Sequence, residues 1–323
     1  MSVQFLPAFL GVPLAAAVLG AGASPPAVPA TAVRPVSRGS VLVHLDLAAG
    51  QMPENVVLDP GGGVDVTFAG ARQVARIAAD GTTRVLATLL APRDPAAVTP
   101  LLGFPLATGL VRDGDRFYVL YATGAARETG VWTFVEGQPP RKLADLPADG
   151  LPNGMVMDRE TGTLYVTDSA RGAVQTVTTR GRDRGEVSVF SDSEALAPAG
   201  FLGVNGARIR GRHLYVSNLD KGTVLRAPLG GPDAGVFETF ADGLQGIDDF
   251  AFTGSGDTFL AALVTENEVV LADGSGRRRA VLTERDGLSN PTSVAIRGTS
   301  VYVPSAAYTT KADPNLLVAR LSR

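Results

Sequence analysis

Four polar residues that are far apart in the sequence, Glu54, Asn153, Asn205 and Asp248, occupy the same step of similar short segments. In each segment a polar or turn residue is followed by a short apolar run, a tight turn and usually a second run rich in aromatic and β-branched residues. Two carboxylates and two side-chain amides supply the hard oxygen ligands that Ca²⁺ prefers, whereas Zn²⁺ favours nitrogen and sulfur. If the fold brings these four side chains together, the sequence predicts one shared metal site.

The aligned position that precedes the first apolar run occurs six times along the chain, and successive occurrences lie 43 to 54 residues apart. This period is typical of a four-stranded propeller blade. Equivalent positions of all blades in a propeller converge on the central axis, so oxygen-bearing side chains from distant parts of the sequence would meet there. We call the six aligned residues the inner positions; they are Glu54, Thr108, Asn153, Asn205, Asp248 and Thr292.

The strand pattern predicts an all-β protein, a six-bladed β-propeller with four antiparallel strands in each blade. The last repeat has three strands after Thr292 and ends at Leu316 to Leu321, so no residues remain for its fourth strand. The segment Ser40 to Leu45 could supply that strand from the other end of the chain. Closing the ring with this N-terminal strand removes the sheet edges that would otherwise promote aggregation. We therefore expect the propeller to occupy residues 40–323.

The first residues resemble a targeting segment. Phe5 to Ala23 is uncharged and apolar and ends in a small-x-small pattern, which predicts a signal peptide over 1–23 and a Pro/Ala-rich linker over 24–39. We expect a secreted or extracytoplasmic monomer with no stable membrane span in the mature chain, because Pro7 and Pro13 make a poor spanning helix. The first four residues carry no Lys or Arg, so a misassigned start codon and a cytoplasmic location stay open.

Composition excludes several classes of function. A net charge of −3 and a pI near 5.5 argue against a nucleic-acid partner, and a small-molecule substrate is expected instead. The absence of cysteine excludes disulfides, thiolate catalysis and thiolate zinc sites. The two histidines, His44 and His213, fall within predicted strands and are interpreted as structural. Because histidine is so scarce and no GxSxG motif is present, a serine triad is disfavoured.

The motifs PEN, PNG, VNG and IDDFAF, in this order and at these spacings, resemble the senescence marker protein/gluconolactonase (regucalcin-like) family of six-bladed propellers. The resemblance covers about residues 40–323. It implies a divalent cation bound by Glu54, Asn205 and Asp248, with Asn153 contacting substrate or completing the metal shell. It also implies hydrolysis of lactones or related esters with Ca²⁺, or in some members Zn²⁺, Mn²⁺ or Mg²⁺. Leu151 stands where sugar-lactone members carry an Arg, which indicates a less polar ligand.

A mechanism follows from these ligands. The cation would polarise the substrate carbonyl, while Asp248 would orient and deprotonate water or attack directly, with Asn153 as the second catalytic residue. Asp249 is adjacent and could lie behind the ligands, or be the true ligand if the register slips by one. A long loop from Ala91 to Phe104 with three prolines is expected to cover the pocket.

Two other functions stay open. One is a non-enzymatic secreted binding module in which calcium is a structural ion at the axis. The other is non-hydrolytic chemistry of the kind carried out by strictosidine synthase propellers, which do not rely on this metal quartet.

Overall fold

The computed structural model describes residues 35–322; the predicted signal peptide and most of the predicted linker lie outside this range. Within it, six four-stranded antiparallel sheets form the blades of a β-propeller, which confirms the predicted fold. The innermost strands of neighbouring blades contact one another, and the innermost strand of the last blade contacts that of the first. The ring is therefore closed around one axis.

In blades 1 to 5 the four strands run in chain order from the axis to the periphery. Blade 1 consists of β2 (Pro53–Leu58), β3 (Val64–Phe68), β4 (Gln73–Ile77) and β5 (Thr83–Thr88). Blade 2 consists of β6 (Leu106–Asp113), β7 (Arg116–Ala122), β8 (Gly130–Val135) and β9 (Arg141–Asp145). Blade 3 consists of β10 (Pro152–Asp158), β11 (Thr163–Asp168), β12 (Ala173–Thr178) and β13 (Val187–Ser191). Blade 4 consists of β14 (Val204–Arg210), β15 (His213–Asn218), β16 (Thr223–Pro228) and β17 (Glu238–Ala241). Blade 5 consists of β18 (Ile247–Phe252), β19 (Phe259–Leu263), β20 (Glu268–Ala272) and β21 (Arg278–Leu282).

Blade 6 combines the two ends of the described chain. From the axis outward it contains β22 (Ala295–Arg297), β23 (Ser300–Ser305), β24 (Asn315–Arg320) and β1 (Ser40–His44). β1 pairs antiparallel with β24, with Ser40 opposite Val318. Pairing continues beyond the strand, because Val36 forms an isolated bridge with Leu321 and is buried. The N-terminal strand thus closes the ring as predicted.

Apolar side chains between successive blades form the core. Most of the contacts are aliphatic, but blades 4 and 5 share a group of aromatic rings in edge-to-face arrangements. Tyr215, for example, packs against Phe240 and Phe252 with ring centroids 5.1 and 5.0 Å apart. Such pairs add about 0.5–1.5 kcal/mol each beyond the burial of their surface.

The structure departs from the predicted elements in small ways. The apolar pattern predicts an outer strand of blade 4 over Val236 to Phe240. The strand instead begins at Glu238, because the Val236 amide donates to the Asp233 carbonyl in a turn. Helix is limited, within residues 35–322, to two short 3₁₀ turns at Glu194–Leu196 and Glu284–Asp286. No helix in that range has the length and apolar character needed to span a membrane.

Candidate functional site

A β-bulge lies at the inner position of five blades. The register between the innermost strand and its neighbour shifts there, so two consecutive residues replace the single residue of a regular ladder. In blade 1 the two residues are Glu54 and Asn55, and in blade 5 they are Asp248 and Asp249; all four are less than one-tenth exposed. The bulge therefore brings both members of each pair into the interior. The shifts lie between Pro53 and Val56, Ala107 and Leu110, Pro152 and Met155, Val204 and Ala207, and Ile247 and Phe250.

Side-chain hydroxyls of one blade donate hydrogen bonds to the backbone carbonyls at the inner positions of the next blade. Thr67 donates to the carbonyl of Thr108 at 2.7 Å, and Ser217 donates to that of Asp248 at 2.6 Å. Thr167 donates in the same way to the carbonyl of Asn205. These carbonyl oxygens are already engaged within the fold, so the side chains are the groups that remain for a ligand.

The two threonines at inner positions also use their hydroxyls within the fold. Thr108 donates to the carbonyl of Pro152, and Thr292 donates to the carbonyl of Pro53, each at 2.8 Å. Both bonds reach the residue just before the next inner position. Blades 2 and 6 therefore fix the inner backbone of their neighbours, while blades 1, 3, 4 and 5 carry the acidic and amide side chains.

The glycines after Asn153 and Asn205 are required by the close approach of neighbouring blades. A Cβ atom on Gly154 would lie 2.1 Å from the carbonyl oxygen of Asn205, and one on Gly206 would lie 2.3 Å from Oδ1 of Asp249. Neither glycine has a positive φ, so the Asn-Gly pairs here are not tight turns. They are the points at which one innermost strand packs against the next.

The carboxyl groups of Glu54 and Asp248 are buried together. Burial raises the pKa of Glu54 to about 7, while a hydrogen bond from Tyr308 acts in the opposite direction and the charge of Asp249 adds to the rise. Burial also raises the pKa of Asp248 well above its usual range, and the charges of Glu54 and Asp249 raise this pKa further. A hydrogen bond from the Asn205 amide lowers it in part. Glu54, Asn205 and Asp248 are thus close enough to interact.

Neither of these two carboxylates has a cationic partner. Within residues 35–322, no Lys, Arg or His side chain forms an ion pair with Glu54 or Asp248. Two buried like charges are costly unless a cation compensates them. A divalent cation would do so, and carboxylate and amide oxygens are suitable ligands for Ca²⁺.

Carboxylates alone do not complete such a site. The part of the chain that the structure describes holds no group of three or more Asp, Glu, His or Cys side chains arranged for a metal. Amides must therefore contribute. The side-chain amide of Asn205 hydrogen-bonds to the carboxyl of Asp248. Asn153 occupies the equivalent position of the neighbouring blade and is about 7% exposed. Its side chain forms no hydrogen bond with any residue of 35–322. Cation binding by these residues stays a prediction.

Asp249 has a different environment from Asp248. Its Oδ2 accepts hydrogen bonds from Arg208 Nη2 at 2.5 Å and from Ser293 Oγ at 2.6 Å, and its Oδ1 accepts from the Phe250 amide at 2.8 Å. Arg208 therefore neutralises this carboxylate within the fold. The arrangement favours Asp248 over Asp249 as a metal ligand.

Tyr308 is a site residue that the sequence interpretation missed. It lies in the loop between β23 and β24, and its hydroxyl donates to Oε2 of Glu54 at 2.5 Å. Burial and the neighbouring charge of Glu54 raise the pKa of the Tyr308 phenol well above its usual value. Because the loop follows no repeat pattern, only its aromatic residue, between Ala307 and Thr309, could have drawn attention to it.

Apolar residues from several blades form a cluster near the start of the innermost strands, which we call the apolar collar. Leu151 and Met52 belong to it and lie two residues before Asn153 and Glu54. Leu102 and Phe104 pack on it from the loop predicted to cover the pocket. The collar consists of Ala69, Leu106, Ala122, Leu151, Leu202, Leu219 and Val264, with Met52, Leu102, Phe104, Ala170 and Tyr308 packed against them.

Asp168 fixes the collar residue Leu151. Its Oδ1 accepts hydrogen bonds from the backbone amides of Leu151 at 2.8 Å, Arg171 at 3.1 Å and Ala170 at 3.2 Å. Burial raises the pKa of Asp168, although these amides act in the opposite direction. Its role is to order the loop that leads to Asn153.

A cavity of about 580 Å³ is lined by residues that follow the inner positions along their strands. Asn55, Arg208 and Phe252 are part of its wall, together with valines and methionines of the innermost strands. None of the four predicted ligands lines it. The four predicted ligands therefore do not lie on the wall of this cavity, although Asn55, which follows Glu54, does.

Comparison with known proteins agrees with the fold. No protein-family model and no curated protein matches the sequence. Among solved structures, the calcium-binding protein regucalcin from Agrobacterium tumefaciens aligns with a TM-score of 0.61 at 18% identity, over 88% of this chain and 93% of its own. A gluconolactonase from Xanthomonas campestris aligns with a TM-score of 0.61 at 16% identity, over 93% of this chain and 98% of its own. The structural neighbours thus include regucalcin and gluconolactonase propellers, as the sequence resemblance indicated.

Other activities are found on the same scaffold. An inactive variant of virginiamycin B lyase from Staphylococcus aureus aligns with a TM-score of 0.57 at 13% identity, over 84% of this chain and 82% of its own. At such identities the likeness establishes the fold, and function has to be argued from the site.

Proposed function

We propose that this protein is a hydrolase of lactones or related esters that depends on a bound divalent cation, with Ca²⁺ the best match. The observation that carries the proposal is the pair of buried carboxylates, Glu54 and Asp248, which lie together with no ion-pair partner among residues 35–322. The structural likeness to a calcium-binding regucalcin and to a gluconolactonase supports the same conclusion.

The residues have distinct roles in this proposal. Glu54, Asn205 and Asp248 hold the cation, and Asn153, whose amide has no partner within residues 35–322, completes the shell or contacts the substrate. A cation bound there would polarise the ester carbonyl and stabilise the negative charge that develops on its oxygen.

Asp248 is the residue best suited to act as base or nucleophile. Asp248 lies beside Glu54 and Asn205 and has no ion-pair partner within residues 35–322, so its carboxylate is the group we assign to activate water or to attack directly.

The collar also indicates the kind of substrate. Leu151 is fully buried there, and Tyr308 is the one polar side chain in the collar as we define it. An Arg at position 151 could donate hydrogen bonds to sugar hydroxyls, whereas Leu151 cannot, and each hydroxyl buried without a partner costs about 1–3 kcal/mol. We therefore propose an ester or lactone whose acyl part is mainly apolar.

A substrate screen with a chelator tests the proposal. Purified protein is assayed against aryl esters and lactones of increasing acyl length, with calcium and with chelator, beside Glu54→Gln and Asp248→Asn. The exposed Glu160→Gln is the control for loss of a surface charge. We expect turnover that the chelator abolishes, that both site variants lose and that the control retains. Calcium-dependent melting without turnover of any substrate would instead favour the binding module.

A further inference from the structure

Tyr308 contacts a predicted metal ligand directly. Its hydroxyl donates to Oε2 of Glu54 at 2.5 Å, and this is the one side-chain hydrogen bond that Glu54 makes within residues 35–322. Oε1 of the same carboxylate accepts no hydrogen bond from those residues. One oxygen of Glu54 is thus engaged by the phenol, while the other stays available.

The loop that carries Tyr308 is fixed by Asn290. Oδ1 of Asn290 accepts hydrogen bonds from the amides of Thr309 at 2.9 Å and Thr310 at 3.0 Å, and its Nδ2 donates to the carbonyl of Val264 at 3.0 Å. Asn290 is almost completely buried. The residues directly after Tyr308 are therefore tied both to the start of blade 6 and to blade 5.

Blade 6 holds Glu54 at two points. Thr292, at its inner position, donates to the carbonyl of Pro53, the residue before Glu54, at 2.8 Å. Tyr308, from the β23–β24 loop, holds the side chain. Blade 6 contributes no acidic or amide side chain at its inner position, so its part in the site is to fix the backbone and the carboxylate of blade 1.

We propose that Tyr308 is a positioning residue for the cation: its hydroxyl occupies Oε2 of Glu54 and orients the carboxylate so that Oε1 is the oxygen that binds the ion. The inference rests on the proposed metal site. A carboxylate that is already oriented loses less freedom when the ion binds, and hydrogen-bond partners of ligands typically account for about 10–100-fold in metal affinity.

The test compares Tyr308→Phe, which removes only the hydroxyl, with Tyr302→Phe. Tyr302 is another tyrosine of blade 6, but it is buried in the core cluster with Val56 and Leu316. Calcium affinity is measured by titration calorimetry, and folding by melting at saturating calcium. We expect affinity to fall about 10–100-fold in Tyr308→Phe and to stay unchanged in Tyr302→Phe.

Terbium provides a spectroscopic readout. Tb³⁺ replaces Ca²⁺ at oxygen sites and emits when a nearby tyrosine is excited. The wild-type protein should show tyrosine-sensitised emission that added calcium displaces. Tyr308→Phe should lose most of this emission even when direct excitation of the ion shows that terbium is bound, whereas Tyr302→Phe should keep it.

A double variant tests whether Tyr308 acts through Glu54. Glu54→Asp keeps the charge but shortens the side chain away from the phenol, so adding Tyr308→Phe to it should cause no further loss of calcium affinity. A further loss equal to that seen in the wild-type background would overturn the proposed route.

The remaining outcomes separate the two proposals. A wild-type protein that binds no calcium overturns the metal site and this inference with it. Calcium binding by the wild type with equal or tighter binding by Tyr308→Phe overturns the role of Tyr308 alone. If Tyr308→Phe does not fold, a crystal of the wild type with bound terbium decides: an ion on Oε1 of Glu54 with the phenol still on Oε2 supports the proposal, and an ion on Oε2 overturns it.

Discussion

The guanidinium of Arg208 lies 2.5 Å from the carboxylate of Asp249 and neutralises it inside the propeller. The Arg208 side chain is 23% exposed and that of Asp249 only 3%, so the pair is largely shielded from water. The preceding residue, Asp248, has no such partner within residues 35–322 and interacts with the carboxyl of Glu54 instead. Two adjacent acids therefore have different environments, and the proposal assigns only Asp248 to the cation.

Substitution of these two acids should separate the roles. Asp248→Asn should abolish the rise in melting temperature that calcium produces in the wild type, because it removes one of the two ligand charges. Asp249→Asn should keep that rise but lower the free energy of unfolding by about 3 kcal/mol, since Arg208 is left without its partner. Differential scanning calorimetry with and without calcium measures both effects. Equal loss of the calcium response in the two variants would contradict the assignment.

The stability of the calcium-free protein should fall as pH rises. The pKa of Glu54 is about 7 in the folded protein and 4.5 without the fold, so the folded state binds a proton more tightly. Its contribution is complete below pH 4.5 and is lost between pH 4.5 and 7. Linkage gives a loss of about 3 kcal/mol across that range.

Denaturant unfolding in chelator at several pH values measures this loss. Glu54→Gln should make the profile flatter over the same range, whereas the exposed Glu160→Gln should leave it unchanged. Saturating calcium should offset the loss above pH 7, because the ion binds the ionised carboxylate of the folded state. A wild-type profile in chelator that is flat or rises over this range would be inconsistent with a buried Glu54.

Gly154 should not tolerate a side chain. In Gly154→Ala the new methyl would lie 2.1 Å from the Asn205 carbonyl, so the innermost strands of blades 3 and 4 must move apart. We expect a loss of about 1–3 kcal/mol in the free energy of unfolding and weaker calcium binding, because Asn205 shifts with its strand. Gly230→Ala is the control, since a Cβ atom there meets nothing within 4 Å. Chemical denaturation of both variants decides, and equal stability would refute the close approach.

The N-terminal strand should be needed for a stable ring. A chain that begins at Asp46 lacks β1 and leaves β24 with an unpaired edge, whereas a chain that begins at Pro35 keeps every described strand. We expect the shorter chain to melt at a lower temperature and to aggregate, because exposed edges pair with one another. Thermal scans with light scattering compare the two. Identical melting of both chains would show that β1 is dispensable.

The closed propeller ring could be predicted from the sequence because the repeat is regular. The same step recurs at Glu54, Asn153, Asn205 and Asp248, and the missing outer strand of the last blade directs attention to Ser40. The spacing sets the number of blades, and the alternation of apolar residues sets the strands within them. Boundaries such as the start of β17 differ because a local turn at Asp233 competes with strand pairing.

The candidate site could be predicted from the sequence only in part. Strand alternation cannot tell which of Asp248 and Asp249 pairs with Arg208, because the bulge between Ile247 and Phe250 interrupts the alternation. Tyr308 was missed because its loop has no counterpart in the repeat and is placed by Asn290 through contacts across two blades. Features that depend on such long-range contacts leave no periodic pattern in the sequence.

A crystal of the protein grown with terbium in place of calcium would show whether the predicted ligands bind one cation. We expect one strong anomalous peak at the axis, about 2.3–2.6 Å from oxygens of Glu54, Asp248 and Asn205. A map with no peak near Glu54 and Asp248, or with the ion bound only elsewhere on the molecule, would contradict this expectation.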